Sequence, residues 1–150
     1  MRNFNSPPID TKVQGSVGFE HAFDLTLEYD GPYETATPRG GRVYKGIIGG
    51  SLSGRINGTV YPQGGSEFPL RREDGVEDLN SHVLLRADNG EWLYLRALGY
   101  DRPDGYYRCV AWIDADVRGK HTWTQGVLFI GTGDESDDGK HITIHYYELI

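Results

Sequence analysis

The stretch that most constrains this chain runs from Gly40 to Gly65, GGRVYKGIIGGSLSGRINGTVYPQGG. Short apolar runs (Val43-Tyr44, Gly46-Ile47-Ile48, Thr59-Val60-Tyr61) are cut by glycine pairs and by Asn57-Gly58. Glycine reaches the left-handed backbone region at little steric cost, so it marks tight turns and bulges. β-Branched runs between such turns read as strands that fold back on their neighbours. The stretch predicts antiparallel β structure curved into a barrel, and it is silent on the chemistry the barrel hosts.

The rest of the chain continues the theme. Phe19, His21, Phe23, Leu25, Leu27 and Tyr29 alternate with Glu20, Ala22, Asp24, Thr26 and Glu28, which is the period of a strand with one buried face. Asp30-Gly31-Pro32 is read as its end, and residues 33–41 as a loop. Glu67 to Arg72 reads as a short strand. Leu79 to Arg86 and Glu91 to Leu98 read as a hairpin around Asp88-Asn89-Gly90, a strong short-range hairpin signal. Tyr106 to Ile113, Trp123 to Gly131 and His141 to Leu149 complete a set of about eight to nine strands with no convincing helix. The expected fold is all-β: a closed or nearly closed antiparallel barrel over residues 16–150, preceded by a flexible arm at 1–15.

Composition excludes several functions. The net charge is −7, which argues against nucleic acid as the main partner. Cys109 is the single cysteine, so neither an intrachain disulfide nor a cysteine-rich zinc framework can form. No run reaches the length of a membrane helix, and MRNFNSPPID lacks an apolar signal core. A cytoplasmic protein without membrane partners is expected. Two strands are apolar on both faces: Trp92, Tyr94 and Leu98 oppose Leu93, Leu95 and Ala97, and Val127 and Phe129 oppose Leu128 and Ile130. Such strands need cover, which suggests a homo-oligomer.

The polar side chains that share strand faces are the candidates for chemistry. Asp78, Asn80, His82 and Leu84 share one face, and Trp92, Tyr94 and Arg96 share one on the hairpin neighbour. If that face lines the barrel, the set describes a ligand pocket. A histidine beside a carboxylate can move a proton near neutral pH, and Arg96 or Arg42 can hold an oxyanion or carboxylate. If it is the wet outside, tyrosine and arginine are ordinary there. Glu67 is a second carboxylate candidate, Phe68 and Trp123 are candidate walls, and His21 is either a core histidine or a pocket acid/base. His141 and His145 lie roughly 13 Å apart at about 3.3 Å per strand residue, too far to share one ion, so no metal is expected. Gly131-Thr132-Gly133 reads as a turn rather than an anion cradle, since no helix follows it. No dinucleotide fingerprint is present, and no cofactor is expected.

In order and spacing, the chain from about residue 17 to 149 resembles the family known as domain of unknown function 3237. Thr37-Pro38 and Gly40 with Arg42 look like its opening loop. Gly49-Gly50-Ser51-Leu52-Ser53-Gly54 looks like its Gly-Gly-x-aromatic-x-Gly turn, with Leu52 in the aromatic place. Gly58-Thr59-Val60 and Gly64-Gly65-Ser66-Glu67-Phe68 follow, with Glu67-Phe68 where the family usually shows Asp and Trp. Arg72, Asp74-Gly75, Asp78, Asp88, Gly90, Tyr94-x-Arg96, Tyr107-x-Cys109, Trp123 and Phe129-Ile130-Gly131-Thr132-Gly133 continue the pattern. His82 stands where Tyr is frequent, and Gln125 where Asn is. The resemblance implies a small closed β-barrel, often found in pathways for aromatic or other secondary metabolites, and it nudges the Asp78–Tyr94–Arg96 face toward the interior.

Three readings follow. The first is a cofactor-independent isomerase, cyclase or lyase acting on an aromatic or other hydrophobic small molecule, with His82 or His21 moving a proton, Asp78 or Glu67 assisting, and Arg96, Arg42 and Tyr94 steadying negative charge; Trp92, Phe68 and Trp123 would contact substrate. The second is a carrier or sensor of such a molecule. The third is an assembly module with a filled barrel.

Overall fold

The computed structural model describes residues 17–150; the N-terminal arm expected at 1–15 lies outside the described residues. The elements are β1 (Phe19–Thr37), β2 (Gly40–Gly54), β3 (Gly58–Val60), β4 (Ser66–Glu67), β5 (Leu70–Arg71), β6 (Glu77–Ala87), β7 (Trp92–Asp101), β8 (Tyr107–Ala115), a 3-10 turn at Thr122–Thr124, β9 (Phe129–Glu135) and β10 (His141–Leu149). Neighbours run in the order β1-β10-β9-β8-β7-β6, then β3, β4 and β5, then β2, which pairs with β1 and closes the ring. The short β3, β4 and β5 share one position between β2 and β6, so the ring has eight places, and it is not evenly rounded. The all-β antiparallel barrel expected from the sequence is what the chain forms. Among the described residues no helix is long and apolar enough to cross a membrane.

Local chemistry explains the elements. β1 and β2 form one long hairpin, paired from Phe23 with Gly54 to Thr37 with Gly40. Gly50 has φ +147°, and a Cβ there would run into the Thr26 carbonyl, so only glycine lets β2 press this closely on β1. The Asp88-Asn89-Gly90 turn closes β6 on β7, paired from Arg86 with Trp92 to Glu77 with Asp101, as expected. The core is the inward set of side chains, among them Phe23, Leu25, Ile47, Leu85, Leu93, Leu95, Phe129 and Tyr146, each fully buried.

Four expectations are corrected. β1 does not end at Asp30-Gly31-Pro32; its register shifts there, and pairing with β2 resumes at Tyr33 with Tyr44 and runs on to Thr37. The strand expected from Trp123 begins only at Phe129, because Thr122–Thr124 winds into a 3-10 turn. Gly131-Thr132-Gly133 is strand, not turn. Both of its glycines face inward: a Cβ at Gly131 would lie 2.7 Å from Cys109 Sγ and from Tyr146, and one at Gly133 would lie 2.5 Å from the Tyr107 ring. Their role is to leave room for those side chains. Finally, a bulge between His21 and Phe23 breaks the alternation of β1. Ala22 and Phe23 are both buried, and His21 and Phe19 turn outward.

Candidate functional site

The inward faces of the strands are apolar along most of their length and become polar at one end, where β6 begins and β7 ends. Each polar residue there continues an apolar alternation. Asp101 follows Leu93, Leu95, Ala97 and Gly99; Tyr107 precedes Cys109, Ala111 and Ile113; Glu135 follows Phe129, Gly131 and Gly133; Lys45 lies between Val43 and Ile47. Register holds them together. Glu77 pairs with Asp101 and Asp101 with Tyr107, while Lys45 pairs with Glu67 and Glu67 with Ser81.

The geometry is that of a buried acid/base cluster. Glu67 is 2% exposed, and its Oε1 accepts from Ser81 Oγ at 2.7 Å and from the Tyr107 hydroxyl at 3.3 Å. Lys45, 6% exposed, donates from Nζ to Glu135 Oε1 at 3.4 Å and lies 5.2 Å from the Tyr29 ring centre. The Glu135 carboxylate turns in to Lys45 while the rest of the residue is open to solvent, which sets this pair at the mouth. Tyr29 is buried in the field of Glu67 and Glu135; the Glu67 carboxylate acts on its hydroxyl, yet among the described residues that hydroxyl makes no hydrogen bond of good geometry. A buried hydroxyl without a partner is costly and infrequent.

Burial and like charge tune the titrating groups. Burial, then the nearby Glu135 and Glu77 carboxylates, push Asp101 up to about 6, with Lys45 opposing. Burial raises Glu135 as well, against the pull of Lys45. Burial and the Glu67 charge hold Tyr29 and Tyr107 well above the ordinary phenol range, so both remain un-ionised donors. Burial pushes the Cys109 thiol up to about 11, which makes it inert as a nucleophile at neutral pH.

The site residues expected from the sequence divide between this cluster and the outer wall. Glu67 belongs to the cluster. The expected interior placement of Asp78, His82, Trp92, Tyr94 and Arg96 is corrected: all five point outward, because their alternates Leu79, Ser81, Val83, Leu93, Leu95 and Ala97 fill the barrel. His82 Nδ1 bonds the Tyr94 hydroxyl on that outer face, and Asp78 meets Arg72 at 3.4 Å. Arg96 lies 5.1 Å from the Trp112 ring centre. His21 is outside too, hydrogen-bonded to Asp24 at 2.8 Å. Arg42 is exposed and donates to the Phe68 carbonyl, and Phe68 packs on Tyr44 at the surface. Trp123 caps the apolar end, edge-on to Phe129 and under the Arg55 guanidinium.

The outer wall nevertheless carries a groove of about 720 Å³ over β6, β7, β8 and β9. Leu98, Tyr100, Val110, Trp112 and Ile130 wall it, with Asp78 and Arg108 among its polar groups. A smaller hollow of about 250 Å³ adjoins it at Trp112, lined also by Tyr94, Arg96 and Asp114. The strands apolar on both faces account for it.

Comparison with known proteins agrees with the fold. A UPF0311 protein of Clostridium acetobutylicum is 32% identical over 98 residues, which is 63% of this chain and 61% of that protein's length. The crystal structure of a beta-barrel like protein from Acinetobacter baumannii AYE aligns with a TM-score of 0.80 at 19% identity, over 99% of this chain and all of that one. The crystal structure of an enzyme from Penicillium herquei aligns with a TM-score of 0.73 at 18% identity, over 89% and 95% of the two chains. At these identities the two structures speak for the fold. The family model described as Protein of unknown function (DUF3237) matches residues 17–149, and the chain belongs to that family.

Proposed function

We propose that this protein is a cofactor-independent acid/base enzyme of the isomerase, cyclase or lyase kind, and that it acts on a hydrophobic or aromatic small molecule at the polar end of its barrel. The observation that carries the reading is the Tyr29 hydroxyl, buried beside Glu67 and Glu135 with no well-formed hydrogen bond among the described residues, at the same end of the barrel as Asp101, whose carboxyl is pushed up to about 6. Asp101, titrating at about 6, takes and returns a proton at working pH. Tyr29 donates its free hydrogen bond to a substrate oxygen, and the Lys45 cation steadies the negative charge that develops there. Glu67, held by Ser81 and Tyr107, keeps the two tyrosines un-ionised and orients Tyr107. The relative from Penicillium herquei that is described as an enzyme supports catalysis on this fold without specifying a reaction.

The test needs no known substrate. Aromatic ketones and cyclic enones incubated with the protein in deuterated water are expected to gain deuterium next to the carbonyl, read by proton NMR. Asp101→Asn and Tyr29→Phe are expected to lower the exchange rate at least about a hundredfold, the scale of one acid/base group. Exchange that persists in both variants, or is absent across the panel, sinks the proposal.

A second reading has its own observation, the 720 Å³ outer groove. There the protein is a carrier or sensor: the apolar walls hold the ligand, and Arg108 or Arg96 anchors an acidic group. Native mass spectrometry with a panel of aromatic acids tests it. Uptake lost in Trp112→Ala and kept in Asp101→Asn favours the carrier, and a dimer mass without uptake assigns the groove to a second copy of the chain.

A further inference from the structure

The bulge in β1 has an effect on the outer wall. By placing Ala22 and Phe23 both inside, it brings His21 and Asp24 onto one outer face, and Asp24 is the direct cross-strand partner of His145 on β10. Asp24 Oδ1 lies 2.8 Å from His21 Nε2 and 2.7 Å from His145 Nδ1. The three donor atoms all lie within 4.8 Å of one another. On the far side of its ring, His145 Nε2 faces Asp134 Oδ2 at 3.8 Å. Tyr147 packs edge-on against His21.

The geometry points to a binding site for a first-row divalent cation at His21, Asp24 and His145, with Zn²⁺ as the representative ion. Two imidazoles and one carboxylate are a donor set such ions favour, and three protein ligands leave a further position for water. Ligands about 2.0–2.1 Å from a tetrahedral ion stand roughly 3.3 Å apart. The two hydrogen-bond distances therefore open by about half an ångström to admit the ion, within reach of side chains that are each a third or more exposed. Asp134 then takes the place of the carboxylate that commonly orients a metal-bound histidine through its other ring nitrogen. His141 and His145, four residues apart on β10, are too distant for one ion to bridge. The partners that matter come from β1, across the sheet. This site is on the outer wall, separate from the acid/base cluster inside the barrel, and does not depend on it.

The test uses tag-free full-length protein stripped with chelator. Titration of Zn²⁺ against a chromophoric chelator is expected to give one ion per chain. His21→Ala, His145→Ala and Asp24→Asn are each expected to weaken binding at least tenfold, on the scale of losing a metal-site group, about 10- to 100-fold. His141→Ala is expected to change nothing. X-ray absorption at the zinc edge on the unaltered protein is expected to show nitrogen and oxygen donors with imidazole scattering. No binding, equal affinity in all three site variants, or a sulfur donor, which would implicate Cys109, each overturns the assignment.

Discussion

Two regions of the barrel wall lie back to back on the same strands and differ in almost every physical respect. Inward, Glu67, Ser81, Asp101 and Tyr107 sit where water is scarce, so each polar atom has a held partner or a displaced pKa. Outward, Asp78, His82, Tyr94 and Arg96 carry a richer inventory of reactive side chains, yet they are solvated and their pairings are those of a surface. Residue type alone favours the outer set. Environment favours the inner one, because burial is what gives a carboxylate or a phenol unusual properties.

Substitutions can break this contrast, and the largest effect belongs to the interior. Glu67→Ala leaves Ser81 and Tyr107 without their acceptor. It is expected to cost about 3 kcal/mol in urea unfolding, the scale of breaking a buried polar group from its partners. Gly133→Ala pushes a methyl against the Tyr107 ring and is expected to cost about 2 kcal/mol by overpacking. An unchanged midpoint in either would mean that the polar end is looser than its burial implies.

Asp101 sharpens the comparison through pH. Its folded pKa of about 6 lies above the ordinary 3.8, so the folded state holds this proton more tightly than the unfolded chain does. The favourable contribution is complete below about pH 4 and is lost as pH rises through 6. Asp101→Asn is therefore expected to match the parent at pH 4 and to exceed it by about 1–3 kcal/mol at pH 8, allowing for partial exposure. A gap that does not depend on pH would contradict the assignment. Tyr29→Phe removes a hydroxyl that makes no well-formed hydrogen bond among the described residues and is expected to leave stability unchanged or raise it by up to about 1 kcal/mol. On the outer wall, His82→Ala is expected to stay within about 0.5 kcal/mol, as at most exposed positions.

Much of the fold was legible in the chain. Asp88-Asn89-Gly90 announced its hairpin, and the alternation of Ile142, Ile144 and Tyr146 marked the inner face of β10. The polar end was legible too, but in a different signal: a polar residue that continues an apolar alternation at a strand terminus, as Asp101, Tyr107 and Glu135 do. Side-chain chemistry and the family resemblance lean toward an interior His82, whereas the parity of Leu79, Val83 and Leu85 favours the opposite face. His21 was hidden for another reason. Its direction depends on a bulge in which Arg55, a residue distant in sequence, donates to the Ala22 carbonyl. No local pattern records such a contact.

The shared position of β3, β4 and β5 has a consequence for motion. Every other place in the ring is filled by one strand, whereas here three segments of two or three residues each contribute two or three rungs to a neighbour. Local opening is least costly where the fewest backbone bonds must break. Glu67 rides on the middle segment, so the buried carboxylate is mounted on a piece of wall only two residues long. Amide exchange is expected to be faster in β4 than in the long β1–β2 hairpin, and a fluctuation there would change the polarity of the interior while the long strands stay paired.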